Sequence, residues 1–444
     1  MASIAAAADP PAPALIERLL APISKVRASE AAGALLLAGN ASVLLCAYYI
    51  LKTVREPLIL GQDFGAEIKS FSNALQALLF LIIVPVYGKV ASRFPRMGLM
   101  AVVTGFFISN LALFAGLGRM GVNIGLAFYV WLGIFSMLAV SQFWAFAADL
   151  YTEEEGKRLF PVVGVGASLG AWLGSLAAEN SIRVAGPFSL MGLGAALLAV
   201  YLGIAWLVSR REARRVGASR AKAAGQPLER KGGFQLIMRD KYLRWIAILV
   251  LLLNAVNTTG EYILSRFVSE TAAALAPAAR SAFIGEFYGS YFAWVSLTGV
   301  VFQVFLVSRI IKWIGVYYSL FVMPGISLLG YGLLAGYPAV GIVRIAKVLE
   351  NSTDYSLNNT ARQALFLTTS REAKFKSKAA IDTFFTRAGD LISFCVVLVG
   401  RGVVNLSVGG FAMVNMLLAL LWLTAVAGIL RERKDEPAPP AGPP

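Results

Sequence analysis

The chain has 444 residues, 58% of them hydrophobic and only 15% charged, with a mean hydropathy of +0.69 and a formal net charge of +15. That much apolar surface exceeds what one water-soluble core encloses, so the chain reads as an integral membrane protein with the lipid bilayer as its surroundings. Histidine is absent, which removes the commonest general base and metal ligand, and the two cysteines, Cys46 and Cys395, both lie in apolar runs, so neither an enzyme, a cofactor, a metal site nor a disulfide framework is indicated.

Residues 1–30 are rich in Ala and Pro and lack the apolar core and small-residue cleavage site of a secretory signal; a cytoplasmic lead-in is expected. Apolar segments follow at about 33–55, 69–92, 97–118, 121–150, 158–181 and 186–209, and again at about 242–268, 280–308, 312–336, 338–367, 377–400 and 403–430. The expectation is an all-α membrane protein of about twelve transmembrane helices. A six-helix bundle over 31–209 and another over 241–430 are joined by a basic linker, 210–240, and followed by a tail, 431–444.

Basic residues gather in alternate loops: Lys89, Arg93 and Arg96; Lys157 and Arg158; the linker from Arg210 to Lys231; Arg309 and Lys312; Arg371, Lys374 and Lys376; and Arg431, Arg433 and Lys434. Positive charge placed this way orients helices rather than binding nucleic acid, and it puts both termini in the cytoplasm. Arg-over-Lys and Ala-rich usage suits a bacterial inner membrane, and a monomer is expected.

The first helix carries Asn40, Tyr48, Lys52 and Arg55 at spacings of eight, four and three, so they share one face. A charge at the centre of a membrane helix costs roughly 2.5 to 3.5 kcal/mol on insertion scales, and such charges usually face a polar interior. Snorkelling of Lys52 and Arg55 to the interface is the bland alternative. The pattern recurs, however. The fourth segment has Gln142 and Asp149, the seventh has Asn254, Asn257, Glu261 and Ser265, and the tenth has Arg344, Lys347, Asn351, Asp354, Asn358 and Arg362. Parallel six-helix halves joined by a long linker resemble major facilitator transporters, in which the first, fourth, seventh and tenth helices line a central cavity. Structural pairing stays open for single residues: Asp354 with Lys347 or Arg362, and Glu56 with Lys52. In the fifth segment Gly166, Gly170 and Gly174 are spaced by four with no strand before them, which predicts close helix packing and not a nucleotide loop.

Several stretches together resemble the ATP/ADP translocases of plastids and intracellular bacteria. They are Tyr49-Ile50-Leu51-Lys52-Thr53-Val54-Arg55-Glu56, Phe143-Trp144-Ala145-Phe146-Ala147, Glu155-Gly156-Lys157-Arg158-Leu159-Phe160-Pro161, Arg239-Asp240-Lys241-Tyr242-Leu243, Tyr355-Ser356-Leu357 and Lys376-Ser377-Lys378-Ala379-Ala380-Ile381-Asp382. The resemblance runs in order over most of 35–400. It implies a nucleotide exchange transporter, with functional basic positions at Arg55 and Lys378 and an acidic one at Glu261. The chain departs from the family at Arg55, where Lys is usual, at Ala148, where Asn is usual, and at Val130-Trp131-Leu132-Gly133, which lacks the family's acidic residue.

Lys52, Arg55, Arg344, Lys347, Arg362 and Arg387 suit the phosphates of a small anionic substrate, and Asn254, Asn257, Asn351 or Asn358 suit the edges of a base. Tyr48, Tyr49 or Trp144 could stack on it. The resemblance adds Lys378 and, within its last stretch, Asp382. Moving a tetra-anion alone would cost roughly 9 kcal/mol against 100 mV, whereas exchanging it for a tri-anion moves about one charge. Two other readings compete: a proton-coupled carrier using Asp149, Glu261, Asp354, Asp382 or Asp390, and a membrane scaffold that no longer transports.

Overall fold

The computed structural model describes residues 27–91, 93–151, 153–216, 233–366, 369 and 377–434. The lead-in through 26, the middle of the linker, the basic loop containing Arg371, Lys374 and Lys376, and the tail from 435 lie outside the described residues, as does the side chain of Asp149.

Helix α1 spans Ala28–Leu60, α2 Gly65–Ala91, α3 Arg96–Arg119 and α4 Gly125–Leu150. The helical stretch Glu153–Val216 is divided at Gly186, where a φ of 73° forces a change of direction. Pro187 then sits where a new helix tolerates the missing N–H, so the stretch makes two spans, α5 (153–185) and α6 (187–216). After a short helix, Gly233–Arg239, α7 runs over Lys241–Ala273; the Asp240 carboxylate accepts from the backbone N–H groups of Tyr242 and Leu243 and fixes its start.

Helix α8 begins with Pro277–Val301, passes through a π-helical turn at Phe302–Leu306, and ends at Gly315, whose φ of 79° starts α9 (316–336). Helix α10 comprises Val340–Thr353, a π-turn at Asp354–Asn358, and Asn359–Leu365. Helix α11 comprises Lys378–Ala380, a π-turn at Ile381–Phe385, and Thr386–Gly402, and α12 is Val408–Lys434. By length and hydropathy alone eight helical stretches qualify as spans. The glycine breaks and the charge carried by α10 account for much of the difference from the twelve spans among the described residues.

Each half has its own core. Leu37, Phe107, Phe128, Phe143 and Met191 are buried in the first, and Val256, Tyr331, Phe411 and Trp422 in the second. Ile59, Leu60, Ala66 and Tyr129 of the first half pack into the core of the second, which locates the closest approach of the halves at the far end, away from the termini. Hydrogen bonds tie the halves there. Tyr262 Oη and Arg401 Nε donate to Glu67 at 3.1 and 2.9 Å, and Arg183 pairs with Glu286 at 2.6 Å.

The glycines expected to allow close packing do so. A Cβ on Gly166, Gly170 or Gly174 would strike the backbone of Ala38, Ser42 or Cys46 respectively, so α5 lies directly on α1. This contact holds up the helix that carries Lys52 and Arg55. Replacing Gly170 with Leu should force the two helices apart at a cost of about 1 to 3 kcal/mol or more. The check is the unfolding midpoint of purified protein in detergent, where Gly203→Leu, at a position with open space around the glycine, should have little effect.

Candidate functional site

The site begins with the antiparallel turn between α1 and α2. Lys52, Arg55 and Glu56 lie in the last turns of α1, and Lys69 and Asn73 in the first turns of α2, so the short connection brings Lys69 back beside Glu56. The Glu56 side chain is fully buried. Arg55 donates to its Oε1 through Nε and Nη2 at 3.1 and 2.6 Å, and Lys69 Nζ donates to its Oε2 at 2.7 Å. Both carboxylate oxygens are therefore occupied by cations. The Arg55 guanidinium also lies 4.2 Å from the Tyr129 ring centroid, and Lys69 reaches Tyr288 Oη of the other half at 3.5 Å.

Lys52 differs from these. Among the described residues no carboxylate pairs with it. Its ammonium instead sits 4.1 Å from the ring centroid of Phe292 on α8 and 5.0 Å from that of Tyr49.

Helices α7, α10 and α11 supply the opposite wall. Glu261 Oε1 accepts from Asn351 at 3.0 Å and Tyr291 at 3.1 Å, and lies 3.5 Å from Lys347 Nζ. Lys347 is completely buried and donates to Asn257 Oδ1 at 2.6 Å and Glu350 Oε2 at 2.8 Å. Glu350 in turn accepts from Ser327 at 2.6 Å and Tyr331 at 2.9 Å, so this buried group has every strong bond a carboxylate in low dielectric needs. Asp390 accepts from Thr258 at 2.7 Å and from Arg387 at 3.1 Å.

Together these residues enclose a cavity of about 220 Å³ between the halves. Of the residues expected from the sequence, Lys52, Arg55, Asn257, Glu261, Asn351 and Arg387 line it, and Lys347 and Tyr49 stand directly behind that lining. Of the others whose side chains are described, none is among the lining residues. Tyr48 packs against Tyr49 and Phe135, Trp144 is exposed and packs against Phe143 and Phe160, and Arg344 donates to Ser290 near the far end of α10. Asn254 donates to the Val250 carbonyl of its own helix. Asp354 accepts from Asn358 at 2.7 Å across the π-turn, and Arg362, Lys378 and Asp382 lie beyond that turn toward the terminus side.

Two ion pairs left open by the sequence do not form. Glu56 bonds Arg55 and Lys69, not Lys52, because α2 delivers an ammonium to it while Lys52 faces α8. Lys347 bonds Glu350 and Glu261, not Asp354. The fourth helix also contributes differently: Tyr129 in its first turn lines the cavity, whereas Gln142 is buried against Tyr87. Lys69, Asn73, Tyr129, Thr258, Phe292 and Tyr355 also line it without standing out in the sequence, and Asp390, a proton-site candidate in the competing reading, lines it too. The i, i+4 spacing of Lys69 and Asn73 sets both on one face at the start of the second helix.

The fold is that of major facilitator-type membrane transporters. The crystal structure of an auto-inhibited POT family peptide transporter superposes with a TM-score of 0.64 over 93% of this chain and 99% of that one, at 11% identity. Residues 326–432 match the TLC ATP/ADP transporter family. ADP,ATP carrier protein 4 of Rickettsia typhi is 24% identical over 290 residues, 56% of this chain and 54% of that protein, so the chain spans about half its length. ADP,ATP carrier protein 1 of Rickettsia bellii is 22% identical over 464 aligned positions, 88% of this chain and 91% of that protein. The likeness to ATP/ADP translocases seen in the short motifs thus extends along most of the chain.

The Glu56 cluster gives a direct test. Glu56→Gln should leave two buried cations without a counter-charge, a loss of about 3 to 5 kcal/mol. The expected result is a large drop in thermal midpoint in detergent, partly reversed in Glu56→Gln combined with Lys69→Met, since the double variant removes one stranded charge. No reversal in the double variant would mean that Lys69 and Glu56 are not coupled.

Proposed function

We propose that the chain is a nucleotide transporter that works by exchange and alternating access, with the central cavity as its substrate site. The observation that carries this reading is the Lys52 ammonium, held at the interface of the halves by two aromatic rings and no carboxylate. Arg55 and Lys69 stand beside it in the same cavity, and the rings of Tyr129, Phe292 and Tyr355 supply flat apolar faces of the kind on which a base stacks. The names of the similar carriers support the same class of cargo.

An unmatched charge inside a low-dielectric interface is costly to carry through a closed state, and a bound anion removes that cost. The loaded carrier therefore reorients more readily than the empty one, which is the physical basis of exchange. The two bundles, 31–209 and 241–430, are the moving bodies in this proposal, the linker 210–240 tethers them, and both termini face the cytoplasm of a bacterial inner membrane.

Reconstituted liposomes test this. Efflux of labelled nucleotide should rise severalfold when nucleotide is added outside, and efflux indifferent to external nucleotide would overturn exchange. Lys52→Ala and Arg55→Ala should abolish the stabilisation of purified protein by nucleotide, while Arg309→Ala, on an exposed surface, should leave it intact.

A further inference from the structure

The charges around the cavity nearly cancel. Lys52, Arg55, Lys69, Lys347 and Arg387 face Glu56, Glu261, Glu350 and Asp390, five cations to four carboxylates, and each carboxylate is bonded to at least one cation. The excess is one positive charge over the whole set: Arg55 and Lys69 share Glu56, Glu261 and Glu350 share Lys347, and Lys52 has no acidic partner among the described residues. Outside the cavity, Lys378 and Asp382 sit one turn apart on α11 and add no net charge.

Unused hydrogen-bond donors remain on the lining cations. The three N–H groups of Lys52 are free of carboxylates. Arg55 spends its Nε and one Nη2 bond on Glu56 and keeps the rest of its five donors, and Lys69 spends two of its three on Glu56 and Tyr288. Arg387 spends one Nη1 bond on Asp390, so its remaining donors, with those of Lys52 and Arg55, also face the cavity.

Resting on the nucleotide reading above, we infer that the cavity is matched to a phosphate monoester, a nucleoside monophosphate, and discriminates against di- and triphosphates by charge. The cost of charge in a low-dielectric site grows with the square of the net charge. A phosphate monoester carries about −1.5 to −2 near neutral pH and leaves this site within about one unit of neutrality. A nucleoside diphosphate or triphosphate would leave the site with roughly two or three uncompensated negative charges. The carboxylates cannot simply move aside, because Glu56, Glu261 and Glu350 are each held by two or more bonds.

The experiment is a binding titration of the purified full-length protein, read by thermal shift and by competition with labelled AMP, using adenosine, AMP, ADP and ATP in EDTA and again with excess Mg²⁺. In EDTA, AMP should bind tightest, with ADP and ATP each weaker by about tenfold or more. Mg²⁺ should narrow that gap, because it cancels two of the extra charges while leaving the nucleotide's size almost unchanged. Lys52→Gln should lose the preference for AMP over adenosine, and Lys52→Arg should keep it, which separates loss of charge from loss of fold. ADP or ATP binding as tightly as AMP in EDTA overturns the charge matching and leaves nucleotide transport standing. A gap that Mg²⁺ does not narrow also overturns it, since size would then be the discriminator. No stabilisation by any of the nucleotides overturns the proposed function itself.

Discussion

The structure turns on one buried carboxylate. Glu56 lies in the far-end turns of a membrane helix with no exposure, and two cations from neighbouring turns close on it. An ionised group so placed persists only if it is paired and fully hydrogen-bonded. Arg55 comes from the adjacent position on the same helix, but Lys69 is brought by the turn into α2, so the α1–α2 hairpin is a condition of the charge and not only of the chain path. Because Lys69 also reaches Tyr288 on α8, the same cluster registers where the second half stands.

That registration needs helices that approach closely. The glycines of α5 seat α1 at backbone distance, and Gly285 and Gly289 of α8 face Ile182 and Glu179 of α5, where any side chain would collide. Helix α5 therefore serves both halves. On one face it sets the height of α1 and its charges, and on the other it fixes α8, which carries Phe292 against Lys52 and Tyr288 against Lys69. The far-end bonds of Glu67 with Tyr262 and Arg401 close the same side of the interface.

The twelve-helix pattern and the polar character of α1, α7 and α10 were legible because each rests on periodicity within one helix. The pairing was not. Lys69 stands in the first turns of its helix, where a charged residue reads as an interfacial anchor, and only the tertiary return of α2 against α1 buries it. Phe292 and Tyr355 are indistinguishable in sequence from the many aromatics of lipid-facing helices. Helix α10 shows a second limit. Its stripe from Arg344 to Arg362 falls on one face of an ideal helix, but the π-turn at Asp354–Asn358 adds a residue to the turn and rotates everything after it. Asn351 and Tyr355 reach the cavity, whereas Arg362 does not. Nothing in the local composition announces a π-turn.

An internal set of carboxylates changes how a transport cavity handles an anion. A cavity lined with unpaired cations would bind highly charged cargo tightly and would pay heavily for crossing empty. Here Glu56, Glu261, Glu350 and Asp390 offset most of the cations, so the set is compensated to within one positive charge. On the proposed reading, the empty and loaded carriers differ most at the one ammonium without a carboxylate, set between Tyr49 and Phe292, one ring from each half. A cation–π contact of this kind supplies about 0.5 to 2 kcal/mol, less than the charge-assisted bonds a phosphate offers. On that reading a bound phosphate draws Lys52 away from Phe292. The contact released is one that joins the halves, so on the proposed reading occupancy of the site and loosening of the interface are the same event.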